Sequence, residues 1–428
     1  MITVVGTGTG APLPPDAEAE LAAATLVVGA RRHLAAARLP DTVERIVLGP
    51  LPPALDAIEQ HLKKPAHHAD QQRVVVLASG DPGFFGIVRA LAERFGAHTL
   101  DVRPGVSSVA TAFARLGLTW DDAVVVSAHG RDPRTAVNVC LAHPKVAVLT
   151  GPGAGPAELG AALQSQSQSQ SQSSERVLVV ASALGSGSDE RVERVTPAEA
   201  AAREWGTAVS VVLCLDESRI LSPVRTIAGP PPGPPQWALD EGEFTYRDSM
   251  ISKFEVRALA LARLGPRLGD HVWDIGAGSG SVAVECARLG AAVTAVEKSG
   301  DGVERVRANA AAHGVHVTAV QGVAPAVLSE LPDPDAVFIG GGGRELPAIV
   351  TACARRARRS VVVAMAALDR VPAVREALLA AGFGCDGVLL QSSRLAPLPG
   401  DVTRLAATNP VFLLWGVRPQ ARTEGVTQ

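Results

Sequence analysis

The chain has 428 residues, 47% of them apolar, and a formal net charge of −3. That length exceeds one ordinary core and predicts two domains, and the near-neutral balance excludes a general attraction to nucleic acid or an anionic membrane. No uninterrupted apolar run reaches the roughly 20 residues of a spanning helix. Cys140, Cys214, Cys286, Cys353 and Cys385 are scattered without C-x-x-C spacing, so they read as buried thiols of a reducing, cytoplasmic compartment rather than as disulfides or metal ligands.

Residues 1–6 form a first strand with no basic segment before it, unlike a signal peptide. The turn Gly6-Thr7-Gly8-Thr9-Gly10 follows, but Pro12, Pro14 and Pro15 bar the direct entry into a helix that a Rossmann turn makes. Residues 16–37 are helical, interrupted by a strand near 24–29. The apolar run 73–78 has the pattern of a buried parallel strand, ending in Ser79-Gly80-Asp81-Pro82-Gly83-Phe84-Phe85-Gly86 before a helix over 87–95. Ligands of α/β sheets lie beyond the carboxyl ends of the strands, where this octet falls, although Asp-Pro-Gly also builds plain turns.

Arg103-Pro104-Gly105-Val106-Ser107-Ser108 then leads into a helix over 109–116, and a strand over 123–127 runs into Ala128-His129-Gly130-Arg131. His129 reads equally as a ligand contact or as a satisfied loop histidine. A strand over 146–149 ends in Thr150-Gly151-Pro152-Gly153, ahead of a short helix. Residues 164–174 alternate Gln and Ser without an apolar residue, which predicts a disordered insertion. Strands at 177–180 and 209–215 flank a helix starting near Pro197, with Thr196 and Glu199 in capping-box positions; their pairing sense is open. The proline run from Pro230 to Pro235 cannot enter a sheet or helix interior and marks the domain boundary.

Beyond it, Met250-Ile251-Ser252-Lys253-Phe254-Glu255-Val256-Arg257 predicts a helix start with Ser252 as N-cap and Glu255 in the capping-box position. Residues 272–297 then read strand, glycine turn, helix, strand, acid. Gly276, Gly278 and Gly280 let the backbone approach a ligand, and Glu297 closes the next strand where ribose hydroxyls need an acceptor. Their G-x-G-x-G spacing departs from the dinucleotide G-x-G-x-x-G. Asp274 before the turn suits a cationic group, such as the amino acid part of S-adenosylmethionine, so a methyl-donor site is favoured over an NAD site. Gln321-Gly322 ends another strand where an adenine edge can be read. The strand 335–339 runs into Gly340-Gly341-Gly342-Gly343-Arg344, where the entropic cost of four glycines implies a close backbone approach. A fifth strand at 360–365 and an antiparallel pair at 387–393 and 410–415 complete the usual sheet of a small-molecule methyltransferase.

With these motifs in this order, the chain resembles the bifunctional precorrin-6Y C5,15-methyltransferase (decarboxylating) family of cobalamin biosynthesis. The first half resembles tetrapyrrole methyltransferases through the loops at 5–10, 79–86, 103–108 and 127–131. The second half resembles the decarboxylating partner through 250–257, 273–281 and 336–342. It departs from the family at Thr9, where Pro is frequent, at Ser252 for Thr, and at Ala364-Met365-Ala366-Ala367, which lacks two polar side chains. The resemblance implies an α/β chain with a two-lobed tetrapyrrole methyltransferase fold over 1–229, a linker over 230–239 and a Rossmann-like class I methyltransferase fold over 240–418.

It further implies one S-adenosylmethionine per domain, held in the first by Gly8, Gly80, Asp81, Phe84, Ser108 and Thr150, and in the second by Asp274, Gly276, Gly278, Gly280, Glu297 and Gly322. Lys253, Tyr246 and Arg344 are the candidate catalytic groups, Tyr246 as a proton donor. Lys253, Arg257, Arg344, Arg103 and Arg131 are candidate cations for a small-molecule polycarboxylate tetrapyrrole. The implied chemistry is C5 methylation in the first domain, and C15 methylation with loss of the C12 acetate carboxyl in the second, giving precorrin-8X. A homo-oligomer without metal, nucleic-acid or membrane partners is expected. The alternatives are a non-catalytic S-adenosylmethionine-binding regulator or scaffold, and an NAD-dependent dehydrogenase.

Overall fold

The computed structural model describes residues 1–64, 72–167, 176–206, 209–220, 226–230, 233–248 and 251–419. Pro231, Pro232, Met250 and positions 168–174 of the Gln-Ser segment lie outside the described residues.

The first sheet is built from β1 (Ile2–Gly6), α1 (Pro15–Ala22), β2 (Leu26–Gly29), α2 (Arg31–Ala36), β3 (Glu44–Val47), α3 (Leu51–Lys63), β4 (Val74–Ala78), α4 (Val88–Phe95) and β5 (Leu100–Arg103). Its strands are all parallel in the order β3-β2-β4-β1-β5. Val74 to Leu77 are essentially inaccessible, as an unbroken β-branched run requires when helices cover both faces. β3, α3 and β5 lack a continuous apolar run; Glu44–Val47, exposed along nearly its whole length, forms an edge strand.

α5 (Ser108–Leu116) crosses to the second lobe: β6 (Val124–Ser127), α6 (Pro133–Ala142), β7 (Lys145–Leu149), α7 (Pro156–Ser167), β8 (Arg176–Ser182), β9 (Arg191–Val195), α8 (Pro197–Ala201) and β10 (Val209–Asp216). The order is β6-β7-β10-β8-β9, parallel only between β6 and β7. β8 and β10 therefore pair antiparallel, and the charged stretch between them supplies the edge strand β9. The Thr196–Glu199 capping box is formed. Residues 164–167, expected to be disordered, instead extend α7, because a helix already nucleated by residues 156–163 tolerates Gln and Ser in its last turn.

The third sheet contains α9 (Phe254–Leu264), β11 (His271–Ile275), α10 (Ser281–Arg288), β12 (Ala292–Glu297), α11 (Gly300–Ala312), β13 (Thr318–Gln321), β14 (Ala336–Ile339), α12 (Leu346–Arg356), β15 (Ser360–Met365), α13 (Val371–Ala380) and β16 (Gly384–Leu390). After a hairpin of β17 (Ser393–Leu398) and β18 (Val402–Ala407), β19 (Val411–Val417) closes it. The order is β13-β12-β11-β14-β15-β19-β16, the first five parallel and the last two antiparallel. The late antiparallel pair is present, with β19 inserted inside β16, and the hairpin between them was not legible in the sequence. The chain is thus α/β throughout, with a two-lobed first half and a Rossmann-like second half.

α9 corrects one expectation. Its N-cap is Lys253, without a side-chain cap bond. The Phe254 amide instead donates to Glu241 Oε1 (3.0 Å), and Glu255 pairs with Arg394 (2.7 Å). Long-range carboxylates thus take the place of the local Ser252 and Glu255 pair. The first half abuts the amino ends of the third sheet, through Asn138 of α6 on the Gly269 carbonyl (3.0 Å) and Arg134 on Asp335 (2.9 Å). The carboxyl ends of that sheet lie at its opposite edge.

Candidate active sites

In the first half, three loops meet at the carboxyl ends of β1, β4 and β5. Gly8 and Gly80 form a two-way bridge, Gly80 N–H to Gly8 O at 2.8 Å and Gly8 N–H to Gly80 O at 3.3 Å. Gly105 sits against both. A Cβ there would lie 2.5 Å from Gly80 O and 2.7 Å from Gly8 N, so only glycine permits this junction. Ser108 opens α5, whose N-cap Ser107 accepts from the Ala110 amide. Asp81 is folded into its own loop, Oδ1 accepting from Gly83 N–H (2.7 Å), and Phe84 is partly exposed, edge-on to Phe85 at 5.0 Å.

Thr150 lies across the cleft at the end of β7, beside Gly151, which packs on the backbone of Ala128 and His129. The two lobes touch through the Arg131 guanidinium, 5.6 Å from the Phe85 ring centre, and through Gly185, which has no room for a Cβ against the Thr9 carbonyl. His129 is exposed. Gly105 lies in a loop marked in the sequence, but the contacts that require glycine there and at Gly185 are remote in the chain and carry no local signature.

In the second half, the turn after β11 carries Gly276, Gly278 and Gly280 at φ of 72°, 58° and 72°, which L side chains rarely adopt. Asp274 is buried and accepts from Ala283 N–H at 3.0 Å in the first turn of α10. Burial pushes its pKa up to about 7 against the pull of that amide, with nearby Glu297 adding to the rise. A carboxyl in this state gains by meeting a cation. Glu297 accepts from Gly278 N–H (3.1 Å) through one oxygen and from Ser299 through the other. Oε1 takes both the amide and the hydroxyl of Ser299, so it is Oε2 that keeps a second lone pair for a ligand hydroxyl. Gly302 is required here, since a Cβ would meet Glu297 Cγ at 2.4 Å.

Gly322 is beside Glu297, but its N–H donates to the Glu297 carbonyl (3.0 Å), leaving only its carbonyl for a ligand. Gly340 and Gly341 abut Gly276, with Gly341 N 3.3 Å from the position of a Gly276 Cβ. This is the close approach that the glycine run implied, and its partner is another part of the chain. Asn309, not found from sequence, joins two parts of the site. Its Nδ2 donates to Ser279 O (2.7 Å) and Thr245 O (2.9 Å), and its Oδ1 accepts from Thr245 N–H (2.8 Å). It thereby fixes the residue before Tyr246 relative to the glycine turn.

The candidate cations divide. Arg103 is consumed by Asp16 (2.8 Å), Glu20 (3.2 Å) and Asp101 (3.2 Å). Arg257 is fully buried, bonded to the carbonyls of Ser252 and Leu239, over the Phe244 ring and 3.8 Å from buried Glu285. Both are therefore structural, a correction to their reading as substrate cations. Lys253, Arg344 and the single tyrosine, Tyr246, have no side-chain partner among the described residues, and Arg344 and Tyr246 are exposed. Among those residues no group of three or more His, Cys, Asp or Glu is placed to hold a metal, and no helix is long and apolar enough to cross a membrane.

Glycine junctions at strand ends on two different α/β folds are the architecture of S-adenosylmethionine-dependent methyltransferases, and comparison with known proteins places the chain in that class. Residues 1–201 match the tetrapyrrole (corrin/porphyrin) methylases and residues 243–417 the precorrin methyltransferase domain. The chain is 38% identical to a precorrin-6Y C(5,15)-methyltransferase (decarboxylating) of Sinorhizobium sp, over 80% of this chain and 79% of that one. It is 34% identical to the protein of the same name from Mycobacterium tuberculosis (strain CDC 1551 / Oshkosh), over 82% and 83%. A probable cobalt-precorrin-6B C(15)-methyltransferase (decarboxylating) of Pyrobaculum calidifontis is 38% identical over 170 residues, 38% of this chain and 87% of that one. The chain belongs to the precorrin-6Y C(5,15)-methyltransferase (decarboxylating) family.

Proposed function

We propose that this chain methylates precorrin-6Y at C5 and C15 and removes the carboxyl of its C12 acetate, giving precorrin-8X, with C5 methylation in residues 1–229 and the other two steps in residues 240–418. The reading rests on the pair of glycine junctions, one at the carboxyl end of each parallel sheet. The Pyrobaculum relative supports the division, since a chain named for C15 methylation and decarboxylation alone matches over 170 residues, about the size of the second domain. One S-adenosylmethionine binds in each domain, in a cytoplasmic homo-oligomer that takes a free tetrapyrrole.

The residues fit that cofactor. In the second domain Asp274 faces the methionyl ammonium, the turn at Gly276, Gly278 and Gly280 lies along the ligand, Glu297 accepts from the ribose hydroxyls and the Gly322 carbonyl borders the adenine. In the first, Gly8, Gly80, Asp81, Phe84, Ser108 and Thr150 border the cleft. The cofactor supplies an electrophilic methyl group, and an electron-rich macrocycle carbon needs in-line placement more than a strong base. Lys253 and Arg344 hold acidic side chains of the macrocycle. The departing acetate faces the apolar end of β15 at Ala366 and Ala367, where a carboxylate without a cation is a high-energy ground state. Tyr246 returns the proton.

The test incubates the full chain with precorrin-6Y and S-adenosylmethionine and follows product mass. Wild type adds two methyl groups and loses one carbon dioxide. Glu297→Ala stops after one methyl group. No mass change with wild type, or a second methyl group added by Glu297→Ala at the full rate, contradicts the assignment.

A further inference from the structure

A cluster of polar side chains in the first half remains outside the site described above. Arg32 on α2 donates through Nη2 to Ser79 Oγ (2.7 Å) and through Nε to His33 Nε2 (3.3 Å), and Ser79 Oγ lies 3.1 Å from the same ring nitrogen. Burial first, and the Arg32 charge second, hold the His33 pKa below its ordinary value, so the ring is neutral and Nε2 accepts. Ser79 then accepts from Arg32 Nη2–H, and its hydroxyl proton shares the single Nε2 lone pair with the longer Arg32 Nε–H contact. Gly29 makes this packing possible, since a Cβ there would lie 3.0 Å from Leu77 Cβ and 3.6 Å from His33 Cβ.

Both braces are neutral. Arg32 is exposed and has no acidic partner among the described residues, while the rest of its five N–H donors stay open. Arg103, by contrast, is saturated by three carboxylates. An oriented guanidinium with an open edge is suited to a planar anion, which it can bind with two parallel hydrogen bonds. Its place is as informative as its chemistry. Ser79 directly precedes Gly80 of the glycine junction, yet β2 lies on the far side of β4 from β1. Two strand spacings, about 10 Å, separate the ends of β1 and β2, a span suited to a flat macrocycle with carboxylate arms.

We propose that Arg32, oriented by His33 and Ser79, binds one acetate or propionate carboxylate of the tetrapyrrole in the first domain. The proposal rests on the substrate reading above. Its test uses the full chain with Arg32→Ala, Arg32→Lys and, as a variant that spares the charge, Ser79→Ala, in steady-state C5 methylation of precorrin-6Y, with S-adenosylmethionine affinity measured by calorimetry. Arg32→Ala raises KM for precorrin-6Y roughly tenfold, the scale of one charged hydrogen bond, with kcat and cofactor affinity unchanged. Arg32→Lys and Ser79→Ala fall between, because each keeps the charge and loses the held fork. An unchanged KM overturns the subsite, and so does a loss confined to cofactor affinity, which assigns the carboxylate to the methionyl group. Wild type that adds no methyl group refutes the substrate reading itself; wild-type turnover with unaltered KM in the variants refutes the subsite alone.

Discussion

Asn309→Ala is the substitution whose effect follows most directly from the second site. Asn309 is buried on α11 and makes three hydrogen bonds, two to the backbone of Thr245 and one to Ser279 O. Thr245 is exposed, so water replaces its lost partner, and each bond there is worth about 1 kcal/mol net. Ser279 is buried, and its orphaned carbonyl costs roughly 1–3 kcal/mol. The segment carrying Tyr246 should therefore loosen by about 2 kcal/mol, and the Thr245 amide should exchange with solvent roughly 30-fold faster. The glycine turn, losing its Ser279 anchor, should bind S-adenosylmethionine about tenfold more weakly in that domain. Hydrogen exchange read by mass at the peptide containing Thr245, with and without cofactor, measures both. Exchange within threefold of wild type would mean that Asn309 does not hold the segment, and the link between glycine turn and Tyr246 would be lost with it.

Three further outcomes follow from the geometry. The folded Asp274 pKa of about 7 exceeds its ordinary 3.8, so the group contributes stability at low pH and loses it as pH rises through that window. Asp274→Asn should flatten this decline in thermal unfolding scans, while wild-type affinity for the cationic cofactor should tighten toward and above about pH 7 and the variant's should not; parallel pH profiles for both proteins would refute this. Burial alone would raise Glu241, but hydrogen bonds from Arg394 and the Phe254 amide hold it at about 2. That carboxylate contributes stability above about pH 4.5, lost as pH falls toward 2, so Arg394→Ala should move the acid-unfolding midpoint upward, and an unmoved midpoint counts against the network. Gly105→Ala places a Cβ within 3 Å of three backbone atoms and should abolish C5 methylation while decarboxylation persists; retained C5 methylation would show that the junction relaxes.

The parts of the fold legible in the sequence were those with a local signature. Buried parallel strands announce themselves as apolar runs, as at β4 and β11, and the Thr196–Glu199 capping box is written in four consecutive residues. The edge strands β3 and β9 were not legible, because an edge strand exposes one side and carries charge, as Glu44, Arg45, Arg191 and Glu193 do. The β17–β18 hairpin escaped for a related reason: Leu395, Leu398, Val402 and Leu405 are exposed, so no burial pattern marks it. Ser252 and Glu255 carried a correct local pattern that lost to Glu241 and Arg394, partners supplied only by the folded chain.

The same distinction governs the candidate cations. Arg103 and Arg257 sit in motif positions as suggestive as those of Arg344 and Lys253, and nothing local separates them. What separates them is whether a carboxylate or carbonyl remote in sequence reaches them first. Asp16 and Glu20 come to Arg103 from α1, whereas Glu285 on α10 and the Leu239 carbonyl enclose Arg257. A guanidinium already matched to carboxylates gains little from a further anion, since it must give up existing hydrogen bonds to bind it. On the proposed reading, substrate recognition therefore falls to cations that no carboxylate of the described residues has claimed. Arg32 meets that condition in the first half, directly after β2, and Arg344, after β14, and Lys253, at the start of α9, meet it in the second.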